Sequence, residues 1–203
     1  MPEELNIESG SRTSRGLEAY KGFIEVYLLG RDPSEMDLLH IPQSSENAFL
    51  RMRSDISRET WELGRKAFQN MQKYGAPTWY EWHTQHWGTK WNAYGSSHDG
   101  NRLSFLTAWD APHPVILKLS ELLPGMEIHH EWADEDIGRN CGSRDYRDGE
   151  MTGQWYPTDQ RESIEFAAEV MGADPSDYGL ELSEDGTEYV PAEETEGMGG
   201  MQL

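Results

Sequence analysis

Three Asp-Gly dipeptides, Asp99-Gly100, Asp148-Gly149 and Asp185-Gly186, each lie between short runs of alternating apolar and polar residues. Asp-Gly between alternating runs is a strong local hairpin signal, because the glycine accepts the positive φ that tight turns require. Around the first, Leu103, Phe105, Thr107 and Trp109 alternate with Ser104, Leu106 and Ala108, and the incoming run Thr89, Trp91, Ala93 alternates with Lys90, Asn92 and Tyr94. Around the second, Cys141–Tyr146 and Met151–Tyr156 flank the turn; the third, near Glu184, closes a shorter hairpin. Met126, Ile128, His130 and Trp132 alternate with Glu127, His129 and Glu131, giving a further half-buried strand. Antiparallel pairing is thereby imposed on the second half of the chain.

Helical periods fill the rest. Leu17, Tyr20, Ile24 and Leu28 recur at helical spacing over Arg15–Leu29, although Gly22, Ile24 and Val26 leave a strand as the alternative. Asp32-Pro33-Ser34 opens a short helical turn, Ser45 caps a helix through Met52, and Ser57 caps a longer one over Arg58–Tyr74, ended by Gly75 and Pro77. Trp79, Trp82 and His86 fit a helical turn, and Gly88 marks a bend or bulge. Pro114 starts a helix carrying Val115, Ile116, Leu119, Leu122 and Leu123, which Pro124-Gly125 terminates, and Glu162–Met171 shows an Ile164, Ala167, Ala168, Met171 face. The order predicts an α+β fold: an antiparallel sheet with helices packed on one face, a helical N-terminal part and an acidic C-terminal tail. One domain is expected over 1–190, helical over 15–75, sheet-rich over 76–160, with a C-terminal helix and extension over 161–190. The last residues, 191–203, read as a disordered acidic tail.

The 203 residues include 37 acidic and 17 basic side chains, a net charge of −20. The first 120 residues contribute about −2 and the remaining 83 about −18. Nucleic-acid binding through a general basic footprint is disfavoured, because phosphate neutralisation needs clustered Lys and Arg. No run of 18 apolar residues and no basic-then-apolar leader is present, so a cytoplasmic protein without membrane contact is expected. The single cysteine, Cys141, excludes an intrachain disulfide.

From Trp87 to Tyr94 (WGTKWNAY), followed by LSFLTAWDAPHPVILKLSELLPGMEIHHEW and a strand ending in RDYRDGE, the chain resembles the YubB-type ferredoxin-like domain family of phage and plasmid proteins. The resemblance covers about residues 76–150. It implies a ferredoxin-like sheet, carriage on mobile genetic elements and no established activity. It also implies a strand and helix ahead of Met1. Without that strand, its slot in the sheet would be filled by Gly22–Leu29, by direct pairing of the remaining strands, or by a second copy of the chain.

Four tryptophans, Trp79, Trp82, Trp87 and Trp91, stand within thirteen residues, and packing between helix and sheet is the expected use of such bulk. The surface candidate for binding is Trp87, Lys90, Trp91, Asn92 and Tyr94. His83 and His86, with His98, His129 and His130, suggest metal ligands to which Glu131 or Asp134 could add carboxylate, but His129 and His130 adjoin on a strand and must point to opposite faces. Cys141 lacks a nucleophile motif, and Glu131, Asp134, Glu135 and Asp136 read as a solvated acidic turn. No metal, cofactor or catalytic residue is expected. The reading is a non-enzymatic module that binds a host protein or a second copy of itself as a homodimer. Alternatives are a single-stranded RNA-binding domain using Lys90, Trp91 and Tyr94, and an acidic mimic of nucleic acid.

Overall fold

In the computed structural model, residues 1–31, 37–38 and 40–192 are described. The Asp32-Pro33-Ser34 turn and residues 193–203 of the expected tail lie outside them. The fold is ferredoxin-like α+β. The chain divides into two compact units, Met1–Ala108 and Trp109–Leu203, each described by itself; the division falls within the expected 1–190 domain and its 76–160 part.

The first unit contains α1 (Ser11–Leu28), α2 (Gln43–Leu50), α3 (Arg58–Tyr74), α4 (Trp79–Trp87), β1 (Tyr94–Asp99) and β2 (Arg102–Leu106). Gly22–Leu28 is helical, so this segment is not a replacement strand. The Ser57 hydroxyl accepts the Thr60 amide at 3.1 Å and Gly75 leaves α3 with φ 75°, the start and stop that the sequence signals. Tyr20, Phe23 and Ile24 of α1 meet Trp61 and Phe68 of α3 in an aromatic core, with ring centroids 5.0 Å apart for Tyr20 and Trp61. A buried carboxyl, Glu46 of α2, accepts Tyr20 Oη at 2.9 Å and Trp61 Nε1 at 3.2 Å. These bonds satisfy two polar tips that the core would otherwise strand. Burial, then the bond to Glu46, raises the Tyr20 phenol above its ordinary pKa.

The two long helices touch backbone to backbone at Gly16 and Gly64. A Cβ at Gly16 would stand 2.1 Å from the Thr60 carbonyl oxygen, and one at Gly64 would stand 2.1 Å from the Gly16 carbonyl. Only glycine fits that crossing.

The second unit contains α5 (His113–Leu122), β3 (Glu127–Trp132), β4 (Gly142–Arg147), β5 (Glu150–Trp155), α6 (Gln160–Met171), β6 (Leu180–Leu182) and β7 (Tyr189–Pro191). Among the described residues the strands form three separate antiparallel ladders, β1-β2, β3-β4-β5 and β6-β7, rather than one continuous sheet. Asp148 (φ 51°) and Gly149 (φ 82°) both take positive φ in a two-residue turn between β4 and β5. The alternation in β3 holds, with Ile128, His130 and Trp132 inward and Glu127, His129 and Glu131 exposed. The small third ladder is tied to α6 by the Gln160 side-chain amide, which donates to Tyr189 O and accepts from Tyr189 N, both at 2.8 Å.

The expected strand over Thr89–Ala93 is corrected: β1 starts only at Tyr94. Residues 88–91 form bends because Gly88, at φ 76°, reverses the chain out of α4, and His83 Nδ1 then donates to the Lys90 carbonyl at 3.0 Å. A ladder cannot begin until that local fold is complete.

Gly64→Ala should destabilise the protein by roughly 1–3 kcal/mol. The overpacking outweighs the gain of about 1 kcal/mol that alanine brings to an open helix position. Urea unfolding checks this, and a more stable variant would contradict the close crossing.

Candidate functional site

The sequence-predicted surface residues follow α4. Along that helix, residues three and four apart share a face, so His83 stacks on Trp87 at 3.9 Å and 16°, while His86 stacks on Trp82 at 4.2 Å and 11°. Both histidines donate Nδ1 to backbone carbonyls, of Lys90 and Trp82 respectively. The four tryptophans are not the main core of the first unit, which Tyr20, Phe23, Ile24, Trp61 and Phe68 build. Trp79, Trp82 and Trp87 are half-buried and pack on the α4 imidazoles instead, while Trp91 is exposed. The physical reason is spacing: a short helix with an aromatic at nearly every turn can satisfy its rings on itself.

Lys90 Nζ lies 4.7 Å over the Trp91 ring, a cation–π contact, and Lys90 N donates to Ala108 O at 3.4 Å, joining this segment to the end of β2. Asn92 and Tyr94 are exposed on the same run and Trp87 is half-buried behind them. The strands that follow carry little cover. Every residue of β1 is exposed, and of β2 only Phe105 is partly buried. Tyr94 sits opposite Leu106, and Leu103 opposite His98, at 53%, 57% and 56% exposure for Tyr94, Leu106 and Leu103.

A second cluster stands in the other unit and escaped the sequence reading. Pairing of β3 with β4 places His130 opposite Arg144, Ile128 opposite Tyr146 and Trp132 opposite Gly142, so these side chains share one sheet face. His113, at the first turn of α5, closes over them, with its ring 4.6 Å from Trp132 and 5.5 Å from His130. Tyr146 Oη and His113 Nδ1 are hydrogen-bonded at 3.2 Å, and Arg144 Nη2 donates to Tyr156 Oη at 2.7 Å. Gly142 leaves the space that Trp132 and Tyr156 occupy: a Cβ there would lie 3.1 and 3.0 Å from them. Three buried nitrogens of this face, His130 Nδ1, Trp132 Nε1 and Arg144 Nε, have no hydrogen-bond partner among the described residues. Alternation and the Asp-Gly turn could have located the set, had the register been carried across to Arg144.

Electrostatics separate the two faces of this sheet. Burial, then the neighbouring His113, Arg144 and His129, pushes His130 down to about 4, and burial followed by Arg144 lowers His113. His129 points the other way, as adjacency on a strand demands. Its Nδ1 meets Asp145 Oδ1 at 2.6 Å and its Nε2 meets Glu131 Oε1 at 3.4 Å, which raise its pKa. Cys141 is buried, its thiol directed to Ser163 O at 3.6 Å and its pKa raised by burial, the opposite of an activated nucleophile. Among the described residues no group of three or more His, Cys, Asp or Glu is placed to hold a metal ion. Asp134 and Asp136 occupy the turn after β3, where Asp134 accepts the Asp136 amide and Asp136 pairs with Arg139. Among the described residues no helix is long and apolar enough to cross a membrane.

Residues 86–174 match the family described as the ferredoxin-like domain in Api92-like protein. That span runs from the end of α4 through β1–β5 and α6, so it includes both clusters. No curated protein and no solved structure matches the chain.

The His130 shift sets a pH dependence. Its folded pKa lies below the ordinary value near 6.5, so the unfolded chain binds more protons between about pH 6.5 and 4. The neutral imidazole's contribution is complete above that window and is lost as pH falls through it, by at most about 3 kcal/mol. His113 acts in the same direction and the ion-paired His129 in the opposite one. Urea unfolding at pH 7 and pH 4.5 should show a smaller loss for His130→Phe than for the native chain. Equal losses would contradict the buried neutral imidazole.

Proposed function

We propose that the chain is a non-enzymatic binding module that docks a protein partner on the β1-β2 ribbon and the adjoining Trp87, Lys90, Trp91, Asn92 and Tyr94. One observation carries this reading. The ribbon is a two-stranded sheet with both outer edges unpaired among the described residues, and it presents Tyr94, Leu103 and Leu106 together with Trp91 to solvent. An isolated two-stranded ribbon is marginal in water, and edges of this kind are the usual template for strand addition. A partner that covers the ribbon would complete its hydrogen bonding and bury its apolar side chains at once.

A protein fits this surface better than RNA does. Aromatic stacking on Trp91 and Tyr94 would suit a base, but the ribbon's Arg102 stands directly opposite Asp99 and the chain carries −20 overall, so little positive potential remains for phosphates. The acidic turn at 134–136 is a short loop with one carboxylate already paired to Arg139, a poor copy of a regular row of phosphates. Carriage on a phage or plasmid, which the sequence resemblance implies, forms part of the proposal, and a host protein or a second copy of the chain is the expected partner.

A photo-cross-linking residue in place of Tyr94 should capture one defined protein, in host lysate or as a dimer of the chain, and the yield should fall at least tenfold when Leu103 and Leu106 are both changed to Ser. The same double variant should keep the native helical circular dichroism. Unchanged capture, or salt-sensitive retention of the native chain on a single-stranded RNA column in place of protein capture, would overturn the reading.

A further inference from the structure

We infer that the α5–β3–β4 face of the second unit is a binding site for a carboxylate group, held by Arg144 Nε and Trp132 Nε1 with His130 beside them. The inference does not rest on the ribbon. It starts from donors that folding has removed from water without supplying acceptors. Trp132 is 8% exposed, yet its indole N–H has no partner, and an indole can only donate. Arg144 Nε is likewise buried and unpartnered, while Nη2 of the same guanidinium is engaged by Tyr156 Oη. Stranded donors of this kind cost about 1–3 kcal/mol each, more when the group is charged, so a fold that keeps two of them on one face is poised for an acceptor.

Among the described residues no carboxylate pairs with Arg144, although the chain has 37 acidic side chains; its polar neighbours are the Tyr156 and Tyr146 phenols. The guanidinium carbon lies 5.5 Å from the centre of the Trp132 ring, so the two side chains that carry the unpartnered donors are neighbours. The groups that face this patch are His113 from α5, His130 and Trp132 from β3, Arg144 and Tyr146 from β4, and Tyr156 after β5, with the Asp110 carboxylate ahead of α5 acting on His113 from the side. Arg144 supplies the single formal positive charge, since both imidazoles are held neutral at pH 7 by burial and by Arg144 itself.

One positive charge with neutral donors matches a monoanion better than a phosphate dianion. A guanidinium edge also matches the planar fork of a carboxylate, one oxygen taking Nε–H and the other a neighbouring N–H. The indole N–H then fills a remaining lone pair. His130 Nδ1 can donate to the same group in the tautomer that carries its proton there. Such a carboxylate could belong to a small organic acid or to the C-terminus of a peptide, the chemistry being the same.

The test is titration of the full-length, 15N-labelled protein at pH 7 and constant ionic strength, following the indole N–H resonances. Trp132→Phe identifies the Trp132 signal among the eight tryptophans. Acetate should shift that signal saturably, inorganic phosphate should do so at least tenfold more weakly, and Arg144→Met should abolish the shift. Arg144→Lys, which keeps the charge and loses the fork, should weaken binding about tenfold and serves where the methionine variant does not fold. A tripeptide with a free C-terminus binding tighter than its acetate analogue assigns a peptide terminus, and equal binding assigns a small acid; either supports the site. Failure of acetate to shift the Trp132 signal, an equal shift in both Arg144 variants, or tighter binding of phosphate would overturn the inference.

Discussion

The register between β3 and β4 governs the second unit. A β-strand sends alternate side chains to opposite faces, so one residue of slippage would exchange every inward group for an outward one. With His130 opposite Arg144 and Trp132 opposite Gly142, the inward face collects an imidazole, an indole and a guanidinium, while His129, Glu131 and Asp145 form an ion-paired outer face. Both properties of the sheet, a dry face short of acceptors and a wet face of paired charges, come from that one alignment. The Asp148-Gly149 turn fixes its neighbour, since two consecutive positive φ values hold Arg147 against Glu150. The Asp148 side chain also accepts the Gly125 amide at 2.7 Å, and the Gly149 amide donates to Ser120 Oγ at 3.0 Å, so the same turn is tied to α5 and to the loop before β3.

The first unit depends on a different constraint, the absence of side chains. Gly16 and Gly64 let α1 and α3 meet at backbone distance, and that approach brings Tyr20, Phe23, Trp61 and Phe68 into one aromatic core. Glu46 then answers the two polar tips facing it. With the core complete without them, the tryptophans of α4 are available to stack on His83 and His86, and Trp91 is left at the surface beside the ribbon.

Much of this was legible in the residues. The Asp-Gly turns located all three hairpins, Ser57 and Gly75 bounded α3, and strict alternation identified the inward side of β3. What was not legible has physical causes. The Gly16–Gly64 contact joins positions 48 residues apart that no local period connects. The alternation over Thr89–Ala93 imitates a strand, yet a left-handed Gly88 and the His83 to Lys90 bond take precedence there. Tryptophan bulk implied core, but the ring–imidazole stacking of one helix is a local alternative that composition cannot distinguish. The donor cluster needed register as well as pattern, because His113, His130, Arg144 and Tyr156 are far apart in the chain and none belongs to a recognisable motif.

Interstrand nuclear Overhauser contacts across β3 and β4 are the most direct test of the alignment on which the account rests. The structure requires backbone contacts joining His130 to Arg144, Ile128 to Tyr146 and Trp132 to Gly142. Contacts joining His130 to Ser143 or Asp145 instead would place the indole and guanidinium on opposite faces of the sheet and contradict it.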